Sequence, residues 1–209
     1  MVDVPDSLPA RMFLLAYDLR KQRMTGNDSR LGYVLRGAAL AELYLDGRLV
    51  EEDGKPRPGT PGDDPYGLVA QIAGSRPRSW QHWVRKDGRA MVRRVREELV
   101  KDGWIRARRH RVLGLFPAWQ VTVKDPRVVK ELWGGASSAL RGKPVAHVNS
   151  YDAAAVALAA AGDLKSVVSR SDRRRHKHRI ADLTARTGPA ATAVRKVIRA
   201  QQAAAASAG

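Results

Sequence analysis

Residues 31–45 read LGYVLRGAALAELYL, and no other stretch constrains the fold as strongly. Leu31, Val34, Leu35, Ala38 and either Ala41 or Leu45 recur at helical spacing, which predicts a helix with an apolar face. Gly37, Ala38, Ala39 and Ala41 are small, so a neighbouring helix can approach closely. Gly47 ends the segment, and residues 48–50 read as a short strand.

Other helices flank it. Residues 8–19 (LPARMFLLAYDL) are apolar enough for a buried helix, with Pro9 where a first turn tolerates it. A polar, flexible stretch is expected over residues 20–30, and a turn-rich loop over 51–65, which holds four prolines. Short helices fit residues 66–73 and 79–84. Residues 88–101 form a well-marked helix: Met91, Val92, Val95 and Leu99 share one arc, with Arg89, Arg93 and Arg96 beside it. Residues 104–123 read as two strands around an apolar hairpin tip at 113–117, containing Leu113, Leu115 and Phe116. Asp125-Pro126 introduces a helix to about Trp133, followed by a loop over 134–144. An alanine-rich helix is expected at 151–161. A basic run follows at 170–179, then one helix over 182–206 that frays in the tail.

Charge narrows the function. The formal net charge is +17, and it is uneven: residues 1–70 carry nine Lys or Arg against eleven Asp or Glu, whereas the remainder carries 29 against ten. Arg outnumbers Lys 28 to ten, which suits phosphate recognition, although a GC-rich bacterial genome writes the same bias. A polyanionic partner follows, either nucleic acid or an anionic membrane surface. The chain has no Cys, so disulfides and thiolate chemistry are excluded. No apolar run approaches the roughly 20 residues of a membrane span. The start MVDVPDSLPAR lacks signal-peptide character, so an intracellular chain is expected.

Catalytic signatures are missing: there is no phosphate-loop, dinucleotide or zinc-protease motif. His176 and His178 are two apart and would diverge on a helix, so they make poor joint metal ligands. The expectation is a non-enzymatic protein with no catalytic residues, metal or cofactor. Three features remain: the Arg89, Arg93, Arg96 stripe, the apolar hairpin tip, and the basic run at 170–179. For the stripe, arginines that merely cover apolar surface are the alternative, and for the run a solvated face. A helix followed by a hairpin also fits a winged-helix DNA-binding module, and an adaptor gripping acidic protein segments is a third possibility.

The blocks LPARMFLLAYDL, LGYVLRGAALAELYLDGRL and VREELVKDGWI with its hairpin, in that order, resemble the Golgi phosphoprotein 3 family over about residues 8–200. The resemblance implies a mainly α fold, with a helical bundle core ringed by amphipathic helices and a protruding β-hairpin. Residues 8–200 would then be a single domain between a short N-terminal tail (1–7) and a flexible Ala-rich tail (201–209). It also implies a cytoplasmic, peripherally membrane-associated protein that binds phosphatidylinositol 4-phosphate or a related phosphoinositide in a basic pocket. Contacts with protein tails and homo-oligomerisation through the hairpin are implied too. The family's pocket arginine corresponds to Arg36, and a second basic residue to Arg89, with Arg93 and Arg96 as support. Leu113, Leu115 and Phe116 would touch the bilayer or another subunit. Two departures stand out: the family's pocket tryptophan should fall near Asn27, where no Trp occurs, and its second helix arginine falls on Val92.

Overall fold

In the computed structural model, which describes residues 2–25, 28–112, 116–142 and 144–207 (backbone alone for 110–112 and 116–118), Ser7 opens the first helix. Its hydroxyl accepts from the Ala10 amide, and Pro9 occupies the first turn of α1 (Leu8–Leu15). The helix stops earlier than the apolar run predicts. Tyr17 and Asp18 instead form β1 (Tyr17–Asp18), paired antiparallel with β2 (Arg23–Met24). The Asp18 carboxylate caps this turn by accepting from the Arg20 and Lys21 amides at 2.9 and 3.1 Å. The stretch expected to be flexible therefore contains the second strand of this pair and the start of the next helix.

That helix, α2 (Asp28–Leu45), is the axis of the molecule, and α1 packs along it. Its apolar residues Val34, Leu35, Ala38, Leu40 and Ala41 are fully buried, as expected of a helix enclosed on most sides. Each Leu taken fully out of water contributes about 1.5–3 kcal/mol. β3 (Leu49–Glu52) follows and pairs with β4 (Lys55–Pro58), so part of the expected loop is a second hairpin. Asp53 and Gly54 both have positive φ (51° and 71°), the geometry of a tight two-residue turn. Pro56 and Pro58 are tolerated because this sheet has only two strands.

The short α3 (Leu68–Ala73) and α4 (Trp80–Arg85) lead to α5 (Gly88–Lys101), whose bounds match the sequence reading. The hairpin of β5 (Ile105–Val112) and β6 (Phe116–Val123) comes next, its base held by buried Ile105, Val121 and Val123. α6 (Pro126–Arg141) runs eight residues past Trp133, through the region expected to be a loop. The reason is that Ala136, Ala139 and Leu140 continue the buried stripe of Val128, Val129 and Leu132, and this burial outweighs the low helix propensity of Gly134 and Gly135.

α7 (Ser150–Gly162) is buried nearly all round and packs on α2 and α6. The basic run forms α8 (Arg170–Arg175) and the start of α9 (Lys177–Ala185). The expected single C-terminal helix is two: Gly188-Pro189 separates α9 from α10 (Pro189–Ala206), because proline cannot continue a helix already in progress. α10 packs on α2, α4 and α7. The chain is thus mainly α, with a helical bundle around α2 and small antiparallel strand pairs among the described residues.

Four arginines crowd α8, and Asp172 holds it together. Its carboxylate accepts from Ser169 at 2.6 Å within a capping box, and from Arg141 at 2.9 Å. These bonds, Ser169 first and Arg141 second, lower its pKa to about 2. A folded pKa below the ordinary 3.8 gives stability present above that value and lost as pH falls toward about 2. Amide-exchange protection of α8 is therefore expected to decline over that window, and Asp172→Asn to remove the decline while lowering protection at neutral pH.

Candidate functional site

Arg36 lies within α2, where the helix passes under the α4–α5 corner. It is 3% exposed. Its Nε donates to the Trp83 carbonyl at 3.0 Å, while its Nη2 is buried with no hydrogen-bond partner among the described residues. Burial lowers its pKa to about 10; Asp87 and Asp64 oppose the shift, and Arg94 adds to it. The indole N–H of Trp83 is a second buried donor without a partner among the described residues. Each such donor costs free energy, since it was stripped of water without compensation.

The N-terminus of α5 meets this corner. Asp87, in the left-handed region (φ 54°), opens the helix without capping it by its side chain. The first-turn amides and the positive end of the helix dipole are thus free of a side-chain acceptor from the cap residue. The approach is tight: a Cβ on Gly32 of α2 would lie 2.6 Å from the Gly88 carbonyl oxygen. Only glycine lets the two backbones come this close, so Gly32 sets the position of the α5 N-terminus relative to Arg36.

The arginines of α5 divide by environment. Arg94 is structural: its guanidinium donates to the Pro65 and Tyr66 carbonyls at 2.7 and 3.2 Å and lies over the Tyr66 ring. Tyr66 in turn donates to Glu98 at 2.7 Å. Arg89 and Arg93 are exposed and make no hydrogen bond or ion pair with the described residues. Arg96 is buried against the hairpin, its guanidinium carbon 3.8 Å from the centre of the Trp119 ring. Arg109, the cross-strand partner of Trp119, lies 5.7 Å from the same ring. Burial lowers the Arg96 pKa; Asp28 and Glu97 oppose this, and Arg93 and Arg109 reinforce it, so these charges act on one another.

Trp119 remains 42% exposed, a large aromatic with two arginines beside it. Beside it a shallow cavity of about 340 Å³ is lined by Gln22, Arg23, Met24, Trp119, Gln120 and Val121, so β2 backs the cluster.

The structure therefore places the four sequence-predicted arginines in two neighbouring settings on α2 and α5. Arg36 is beneath the α5 N-terminus, where Arg89 occupies the first turn; Arg96 meets the hairpin, with Arg93 near enough to act on its charge. Leu113 and Leu115 lie outside the described residues, as does the side chain of Phe116, whose backbone is in β6. Trp119 and Arg109 were missed by the sequence reading. The alternation in IRARRHRV and FPAWQVTV was visible, but which residues face each other depends on register across the turn.

The described residues contain no helix long and apolar enough to cross a membrane. No curated protein matches the chain. The family model of Golgi phosphoprotein 3 (GPP34) matches residues 8–201, nearly the whole length, and includes every element of the site just described. The chain belongs to the Golgi phosphoprotein 3 family.

Proposed function

We propose that this protein is a non-enzymatic peripheral membrane protein that binds anionic phospholipid, a phosphoinositide such as phosphatidylinositol 4-phosphate. The observation that carries the reading is the buried, unpartnered Nη2 of Arg36 beside the uncapped start of α5. A phosphate there would accept from groups that otherwise go unsatisfied, and a helix N-terminus favours it electrostatically. Arg89 and Arg93, exposed and uncommitted, supply positive charge around it. Arg96, Arg109 and Trp119 extend the surface toward the hairpin, and an exposed tryptophan flanked by cations suits the headgroup layer. In this reading Trp119 offers the aromatic surface that the chain lacks near Asn27. Contact of Leu113, Leu115 and Phe116, read from the sequence, with the bilayer or with a second copy would complete it.

Replacing Arg89 and Arg93 together by Ala tests the assignment with little risk to the fold, because both are exposed. Each cation near an anionic surface contributes about 1 kcal/mol, so the double variant is expected to bind phosphoinositide vesicles roughly 30-fold more weakly. Unchanged affinity, with an unchanged circular-dichroism melt, would remove this face from consideration.

A further inference from the structure

The basic run that the lipid site leaves unused borders a groove on a different set of helices. α7, α9 and α10 enclose about 900 Å³ of open space, with Arg170 of α8 at its edge. Its floor is made of small side chains, Ala157 and Ala161 from α7 and Ala181 and Ala185 from α9, flanked by Ile180 and Ile198. Its walls are cationic. Arg170 and Lys177 come from α8 and α9, Arg195 and Arg199 from α10, and all four are exposed with no hydrogen bond or ion pair among the described residues. Arg173, also in the lining, is already engaged by Asp163 and the Ala160 carbonyl. Two acids line the groove, Asp163 and Glu51, and Asp163 is further held by Arg30.

We propose that this groove docks an acidic amphipathic helix of a partner protein. Charge complementarity is the first argument: four uncommitted cations line a trough in which one of the two carboxylates is already bound. Spacing is the second. Arg195 and Arg199 are one turn apart on α10, the interval at which carboxylates at i and i+4 line one flank of an entering helix. The floor is the third. Alanines let a helix settle at the 8–10 Å separation of packed helices, whereas the lining has no Leu, Phe or Met slot deep enough for an acyl chain. The anchors would be Arg forks on Glu or Asp, with small apolar residues resting on the alanines. This site is separate from the phospholipid reading and does not depend on it.

The test uses the full chain and a fluorescent synthetic peptide, a designed helix with Glu along both flanks of an Ala/Leu face, followed by anisotropy. Two controls share its composition or shape: a scrambled sequence of identical charge, and a version with Gln in place of Glu. The expected result is binding of the designed helix at least tenfold tighter than either control. Arg195→Glu with Arg199→Glu is expected to weaken it by at least tenfold, and so is Ala181→Trp, which fills the trough without changing charge. Arg89→Ala with Arg93→Ala is expected to leave it unchanged. Equal affinity for the scrambled peptide would overturn the proposal, reducing the groove to a generic basic surface. Indifference to Ala181→Trp in a variant that melts normally would also overturn it. Duplex DNA or phosphatidylserine vesicles that bind in its place, with the same dependence on Arg195 and Arg199, would assign the groove to phosphate polymers or membranes instead.

Discussion

Arg36→Met is expected to leave the protein as stable as before, or more so, while phosphoinositide binding falls at least tenfold. Two effects oppose each other at this position. A guanidinium whose pKa burial has lowered to about 10 is disfavoured in its charged form by about 3 kcal/mol relative to water. Methionine removes that penalty and the orphaned Nη2, and its flexible chain fills similar space. Against this stands the loss of the bond from Nε to the Trp83 carbonyl, worth about 1.5–3 kcal/mol for a charged donor. The two effects nearly offset, so the melting temperature is expected not to fall. Proteins commonly give up stability at binding sites in this way. If Arg36 instead merely ties α2 to α4, the same variant melts lower and binds vesicles as before. Thermal melts and vesicle titrations on one preparation separate the two outcomes.

Two glycine-to-alanine changes should move stability in opposite directions. In a helix interior alanine is ordinarily favoured over glycine by about 1 kcal/mol. A methyl added at Gly134 in α6 would find nothing within 4 Å, so Gly134→Ala should stabilise by roughly 0.5–1 kcal/mol. At Gly32 the added carbon would meet the Gly88 carbonyl oxygen at 2.6 Å, backbone against backbone, with no side chain free to turn away. Overpacking of this kind costs typically about 1–3 kcal/mol and exceeds the propensity gain. Gly32→Ala is therefore expected to lower the melting temperature by several degrees, to push the start of α5 away from Arg36, and to weaken phosphoinositide binding. A Gly32→Ala protein that melts higher, as Gly134→Ala should, would mean that the α2–α5 contact is loose.

Local periodicity carried much of this architecture into view. α5 could be bounded from the sequence because Met91, Val92, Val95 and Leu99 sit on one arc and Gly103 follows closely. α2 was legible for the same reason, except for its first turn, which lies beyond the apolar pattern. Around Gly and Pro, the burial or turn geometry decides the outcome, and neither is local to the sequence. Gly134 and Gly135 looked like a helix end, yet Ala136, Ala139 and Leu140 carry α6 onward. Four prolines masked the hairpin around Asp53-Gly54. Conversely, Gly188-Pro189 does break the C-terminal helix, although the alanine-rich pattern runs across it.

The candidate site divides in the same way. A stripe of Arg89, Arg93 and Arg96 follows from helical spacing alone, whereas Arg36 was named only through the family resemblance. That Arg94 belongs to the structure and not to the stripe depends on the carbonyls of Pro65 and Tyr66, far away in the chain. The approach of Arg96 and Arg109 to Trp119 depends on strand register, which one residue more or less in the turn would reverse.

The central claim, a phosphate-selective site on α2 and α5, is tested most directly by vesicle co-sedimentation at physiological salt. Neutral vesicles, vesicles with phosphatidylinositol 4-phosphate and charge-matched phosphatidylserine vesicles are compared, with duplex DNA as a soluble competitor. The expected result is clear preference for the phosphoinositide over equal charge, and retention of that preference when DNA is added. Equal binding to both anionic membranes, or release from all vesicles with capture by DNA, would contradict it.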